Sequence, residues 1–218
     1  MSIIPTDPKT PGAVGQDASC IKLGRAEVRR EKVIATARTL FADQGFHNTG
    51  IAQIAKDSGV LVGQLYRDFA KKEDIVAAIV SRDLELFLAE SALREATIAQ
   101  DLPAVRDWVA DFISCPPDDK DMRLIADIMA EAQRNDRIAT IVSDLHERLR
   151  GTIASALAAI IPDDRKDRQR LLLTEMILTI SAGTFHRRLS QNGVVDPVVT
   201  AALNDMIGRE IDALLAAA

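Results

Sequence analysis

From Arg25 onward, apolar residues recur along the chain at helical spacing. Val33, Ile34, Ala37, Leu40 and Phe41 fall at i, i+1, i+4, i+7 and i+8, one face of a helix, and Gly45 suits its C-terminal cap. Two short helices are predicted near Gly50–Asp57 and Leu61–Phe69, separated by Ser58, Gly59 and Val60. A long helix is expected to begin around Lys71 and run past Ile79, Leu86 and Phe87. Further helical segments are predicted over Leu102–Ser114, Asp119–Arg134, Arg137–Ile160, Asp164–Ser190 and Pro197–Ala216. Their breaks are expected at Cys115 to Pro117, Asn135 and Asp136, Pro162 and Asp163, and Asn192 and Gly193. No stretch alternates β-branched and aromatic residues with polar ones, so the fold class is all-α.

Composition adds a boundary at each end of this pattern. Residues 1–22 hold Pro5, Pro8, Pro11, Gly12 and Gly15 with almost no apolar periodicity, and read as a disordered leader. Residues 23–75 form a candidate small N-terminal domain, and residues 76–218 a larger helical body. The net charge of −5 argues against a nucleic-acid partner until its distribution is considered. Residues 21–75 carry 10 Lys and Arg against 7 Asp and Glu, whereas residues 76–218 carry 16 against 23. A mildly basic module on an acidic body can bind DNA at one end and keep the other end off it. Cys20 and Cys115, the two cysteines, are far apart and form no CxxC pair, which disfavours a disulfide framework or a zinc site. No apolar run reaches the ~18 residues of a membrane span, and no signal-peptide core is visible at the N-terminus. A soluble, cytoplasmic protein without membrane contact is expected.

The segment Ile51 to Tyr66 has the layout of a helix-turn-helix. Ile51, Ile54 and Ala55 give its first helix a small apolar inner face, and Gly59 occupies the turn, where a left-handed backbone costs least in glycine. Val60 and Leu65 are expected to anchor the second helix, leaving Val62, Gln64 and Arg67 outward. A helix of this kind enters the major groove of double-stranded DNA, where base edges are distinguishable.

Residues Arg30 to Ile75 resemble the N-terminal domain of the tetracycline-repressor family of bacterial transcriptional regulators. The resemblance rests on Ala37, Leu40-Phe41, Gly45-Phe46, Thr49, Ile54-Ala55, Gly59-Val60, Gly63, Leu65-Tyr66, Phe69 and Lys72-Glu73. It implies that Thr49 caps the first motif helix and touches a phosphate, and that Tyr66 and Lys72 hold the DNA backbone. Such contacts fix register without reading sequence. Reading then falls to Leu61, Val62, Gly63 and Gln64, with Gln64 suited to an adenine edge and Leu61 and Val62 to thymine methyls. Three positions depart from the family pattern. Leu61 stands where Ser or Thr is usual, removing an N-cap. Gly50 replaces a second Thr. Asp68 puts an acid beside the phosphates, which weakens binding unless Arg67 or Lys71 screens it. Read singly, Tyr66 and Phe69 are equally ordinary core aromatics, Lys71 and Lys72 a solvated helix start, and His47 a loop residue; their joint spacing carries the inference.

Beyond about Val80 the resemblance thins, although Ile128 to Asn135 is similar to a segment common in the family's ligand-binding domains. By analogy the last two helices pair with their copies in a homodimer. Leu172, Met176, Ile180 and Gly183 share one stripe, and Val199, Leu203, Met206, Ile207 and Leu214 line the final helix. Met176, Ile180, Gly183, Leu203 and Met206 are the candidate interface, with service in the chain's own core as the alternative. An unknown small-molecule effector would lie among Phe87, Trp108, Phe112, Met122, Met129, His146 and Phe185, each of which also fits an ordinary core or, for His146, an exposed polar stretch. The expected function is a ligand-responsive repressor released from a palindromic operator, with activation left open. One rival is a helical-bundle enzyme, but Glu-x-x-His pairs, HExxH, GxSxG, P-loop and GxGxxG motifs are all missing, and no cofactor is implied. Another rival is a DNA-binding protein insensitive to ligand.

Overall fold

A computed structural model of the chain describes residues 24–114, 119–190 and 196–216. The expected leader 1–22, both cysteines, and the breaks at 115–117 and 192–193 lie outside the described residues. These comprise α1 (Arg25–Gln44), α2 (Ile51–Ser58), α3 (Val62–Asp68), α4 (Lys72–Leu88), α5 (Glu90–Ile98) and α6 (Leu102–Ser114). They continue with α7 (Asp119–Ala132), α8 (Asp136–Ile160), a 3-10 turn (Asp164–Lys166), α9 (Asp167–Ser190) and α10 (Pro197–Ala216). No strand occurs among the described residues.

Two hydrophobic cores organise these helices. The first gathers Val33, Ile34, Ala37, Leu40 and Phe41 of α1 with Ile54, Ala55, Val60, Leu65 and Phe69, so every apolar position the periodicity assigned to α1 is buried. Ile75, Val76 and Ile79 of α4 close it from one side, and Leu124, Ile128 and Ile138 of α7 and α8 from another. The second core holds Leu84 and Leu88 of α4 with residues of α5, α6, α8, α9 and α10. Helix α4 therefore contributes to both cores, and its 17 residues span about 25 Å.

The sequence marks no end for this helix, yet α4 stops at Leu88. Ala89 takes a left-handed backbone (φ 43°, ψ 43°), and α5 sets off in a new direction. Alanine is the best helix former, so local propensity opposes the break. Packing overrides it, because the turn buries Leu88 and Leu93 together in the second core. Arg148 of α8 then grips Glu90 with two hydrogen bonds of 2.9 and 3.0 Å, and this guanidinium fork holds the Glu90 carboxyl below the usual carboxylate range.

Polar contacts fix α7 against the N-terminal helices. Arg38 of α1 reaches both Asp83 of α4, at 3.0 Å, and Asp121 of α7. Asp127 accepts the backbone N–H of Phe46 at 2.7 Å, and His47 Nε2 lies 2.6 Å from the buried Glu131 carboxylate. At the other end, α9 buries Leu173, Thr174, Ile177 and Leu178, while Leu171, Leu172 and Met176 on its outer side are exposed.

Candidate functional site

Helices α2 and α3 are set by the turn between them. Gly59 is left-handed (φ 68°, ψ 23°), and its N–H bonds back to Lys56 while that of Val60 bonds to Ala55, closing the last turn of α2. Leu65 is fully buried and Val60 nearly so, which pins α3 by one side. The opposite side presents Leu61 (72% exposed), Val62 (43%), Gly63, Tyr66 (53%) and Arg67, with Gln64 half-exposed. The space around Gly63 is open, so a surface could approach the backbone there. Five of the seven residues expected to meet DNA thus share one exposed face. Leu61 is the N-cap of α3 and supplies no side-chain cap, as its apolar side chain dictates.

The remaining two require correction. Thr49 is fully buried; its hydroxyl donates to the carbonyl of Gly45 (2.9 Å), just past the end of α1, with the Leu40 carbonyl 3.3 Å away. It neither caps α2, whose N-cap is Gly50 without a side-chain bond, nor reaches the surface. Lys72 turns inward as well. Its ammonium donates to the carbonyls of Phe46 (2.6 Å) and Thr49 (3.2 Å) and sits 3.9 Å from the centre of the Phe46 ring. Burial pushes this lysine below its usual range, against the pull of Glu73, Glu131 and Asp127. Neighbouring Lys71 is exposed, and neither it nor Arg67 enters an ion pair among the described residues.

Asp68 also differs from expectation. Arg29, 39 positions earlier on α1, clasps its carboxylate through Nε (2.5 Å) and Nη2 (2.8 Å), and Arg30 bonds its backbone carbonyl while stacking on Phe69. The Arg29 hydrogen bonds hold the Asp68 carboxyl below the usual range; Arg29's charge and then those of Arg30 and Arg67 assist from further off. Screening comes first from α1, not from Arg67 or Lys71. Nothing in the local sequence signals this pair, because the contact is made by the fold.

In the C-terminal body a half-open cavity of about 450 Å³ is lined by Phe87, Ala89, Trp108, Asp111, Phe112 and Ser114. Three of the seven residues proposed for an effector pocket meet there: Phe87, Trp108 and Phe112. The other four are elsewhere. Met122 is buried, Met129 and His146 are exposed, and Phe185 is half-buried on α9. Met176 and Gly183 of the candidate dimer face are exposed, whereas Ile180, Leu203 and Met206 are half-buried; Ile180 and Leu203 pack on the second core.

Comparison with known proteins gives two family matches that together cover most of the described helices. Residues 33–79 match the model of bacterial regulatory proteins of the tetR family, and residues 103–216 that of the C-terminal part of BetI-type transcriptional repressors. The transcriptional regulator UidR of Escherichia coli K12 is 29% identical over 133 residues, 61% of this chain. The match spans 66% of that protein, just under two thirds of its length. Among solved structures, GusR of Salmonella enterica superposes with a TM-score of 0.65 at 20% identity, covering 88% of this chain and 99% of its own. A tetR-family regulator from Mesorhizobium loti gives 0.67 at 17% identity, with 89% and 98% covered.

Proposed function

Because the chain belongs to the tetR family of bacterial transcriptional regulators, we propose that it is a homodimeric repressor that leaves a palindromic operator when a small molecule enters the 87–114 cavity. The observation that carries this reading is the α3 face. Leu61, Val62, Gly63, Gln64 and Tyr66 point away from a buried Leu65 and Phe69, as a helix inserted into a major groove must. Tyr66, Arg67 and Lys71 flank that face and are placed to hold phosphates.

Dimerisation through α9 and α10 is supported by their outer sides. Leu171, Leu172 and Met176 on α9, and Val198 and Leu215 on α10, expose apolar surface that a second copy would cover. Release is read as a shift between two arrangements of the dimer. One end of α4 starts beside Phe69, the residue that closes α3, and the other ends at the cavity wall, which Phe87 and the following Ala89 help to line. A ligand that favours a different setting of the Phe87 end tilts α4 and changes the spacing of the two α3 helices, breaking contacts in both half-sites together.

Selection of bound sequences from a random DNA pool by the purified chain, at two salt concentrations, tests the reading. An inverted repeat with half-site centres about 34 Å apart or a multiple of it is expected, with recovery falling steeply as salt rises. Recovery of no enriched sequence, or of single half-sites bound by a monomer, would overturn it.

A further inference from the structure

Arg29 and Arg30 reach from the second turn of α1 to the C-terminal end of α3. Arg29 forks onto the Asp68 carboxylate through Nε (2.5 Å) and Nη2 (2.8 Å). Arg30 donates to the Asp68 carbonyl (2.9 Å) and lies 4.4 Å from the centre of the Phe69 ring. The helix they hold is 7 residues long, with Leu65 its one buried side chain, too short to keep its direction unaided. Gly59 and Val60 set where it starts, and the two arginines set where it ends. We infer that Asp68 is a specificity-determining residue, which fixes the pitch of α3 through Arg29 and withholds that arginine from DNA phosphates. This rests on the reading of α3 as the helix that enters the groove.

Asp68 directly follows Arg67 and lies two residues beyond Tyr66, so the guanidinium it holds stands at the edge of the exposed α3 face. The Arg29 side chain is 23% exposed against 10% for Asp68, which leaves the cation reachable while its anion is largely covered. Arg67 and Lys71, in no ion pair among the described residues, already offer two cations beside this face. Phosphate contacts raise affinity for every sequence alike, and only base contacts tell sequences apart. An Arg29 free to take a phosphate would therefore tighten binding to all DNA and narrow the margin of the operator over the rest. A loosened α3 would narrow it further, because functional side chains must be placed to within about 0.5 Å. The bidentate pair opposes both effects: its two parallel bonds fix direction and occupy the fork that a phosphate would use.

Fluorescence anisotropy of the full chain on two labelled duplexes, over a range of salt concentrations, tests the inference. One duplex is the sequence that the parent enriches from a random pool, and the other is an arbitrary sequence of the pool's length. For Asp68→Asn on the arbitrary duplex, the slope of log K against log salt is expected to steepen by about 1.8, or ~0.9 for each subunit. That corresponds to roughly 30-fold tighter binding at 0.15 M salt. Preference for the enriched sequence should fall about tenfold or more. The double variant Arg29→Gln with Asp68→Asn releases α3 without freeing a cation. Its slope on the arbitrary duplex should return to the parental value while its preference stays low. Circular dichroism of each variant establishes that it is folded. A pair that served stability alone would lower Tm and move neither slope nor preference. An Asp68→Asn variant with the parental slope or the parental preference would overturn the inference, and so would a double variant as steep as Asp68→Asn. Failure of the parent to enrich any sequence counts against the operator reading instead, and the slopes on the arbitrary duplex still decide whether Asp68 withholds Arg29.

Discussion

Lys71 and Lys72 are adjacent and chemically identical, yet the structure gives them different work, and substitution by Gln separates them. Lys71 is exposed beside α3, whereas Lys72 donates to two backbone carbonyls beneath it. Each phosphate contact to duplex DNA contributes about −0.9 to the slope of log K against log salt. In a two-fold dimer every substitution counts twice, so Lys71→Gln is expected to flatten the slope by about 1.8. Treating the contact as counterion release alone, with no net gain at 1 M salt, this is roughly a 30-fold loss of affinity at 0.15 M. Arg67→Gln is expected to act alike. Lys72→Gln removes a charged donor from the carbonyls of Phe46 and Thr49. It should cost about 1–2 kcal/mol of stability after allowance for solvent exposure, a fall in Tm of roughly 2–8 °C, and leave the slope nearly unchanged. Fluorescence anisotropy of a labelled operator between 50 and 300 mM salt, with thermal unfolding of each variant, measures both quantities. A Lys72→Gln variant with an unmoved Tm and a slope flattened as much as in Lys71→Gln would refute the reasoning, and so would a Lys71→Gln variant with the parental slope.

Other outcomes follow from the same geometry. Gly59→Ala places a Cβ at φ 68° and should destabilise the chain by about 1 kcal/mol, readable as a shifted urea midpoint with an unchanged m-value. Leu65→Ala, at a fully buried position that pins α3, is expected to cost about 2–5 kcal/mol and to weaken operator binding along with it. The paired carboxyls Asp68, Glu90 and Asp163 all titrate below their usual range in the folded chain. Their contribution is therefore complete above the unfolded carboxylate range and is lost as pH falls through their lowered values. Stability should decline below about pH 4, and Asp68→Asn should be less stable than the parent at pH 7 while the difference narrows in acid.

Much of the architecture is legible in the sequence because helical period, glycine and proline are local signals. The inner face of α1, the Gly59 turn and the exposed face of α3 all follow from spacing and residue type. The break at Ala89 does not, since nothing about alanine announces a left-handed residue, and only the joint burial of Leu88 and Leu93 creates it. The functional surfaces divide the same way. Tyr66 and Val62 are exposed because Leu65 between them must be buried. Thr49 and Lys72 turn inward because the carbonyls of Gly45, Phe46 and Thr49, in the connection between α1 and α2, need donors, which is a property of the assembled corner. Arg29 with Asp68, Asp127 with Phe46, and Asp111 among three rings are long-range or solvent-side relations that no local pattern encodes. The scatter of Met122, Met129, His146 and Phe185 has the same origin: helical spacing assigns a face, but the partner that face meets depends on tertiary packing.

The shared lid of the first core sets terms for anyone who would recombine this protein. Leu124, Ile128 and Ile138, which come from α7 and α8, seal the hydrophobic interior built by α1 to α4, and Asp127 fastens the α1–α2 corner from the same side. A DNA-reading head transplanted from this chain onto a foreign sensor would arrive with its underside open. The graft becomes portable only if the recipient offers matching apolar residues and an acceptor for the Phe46 N–H, or if the facing stretch of α7 and the first turn of α8 travel with it.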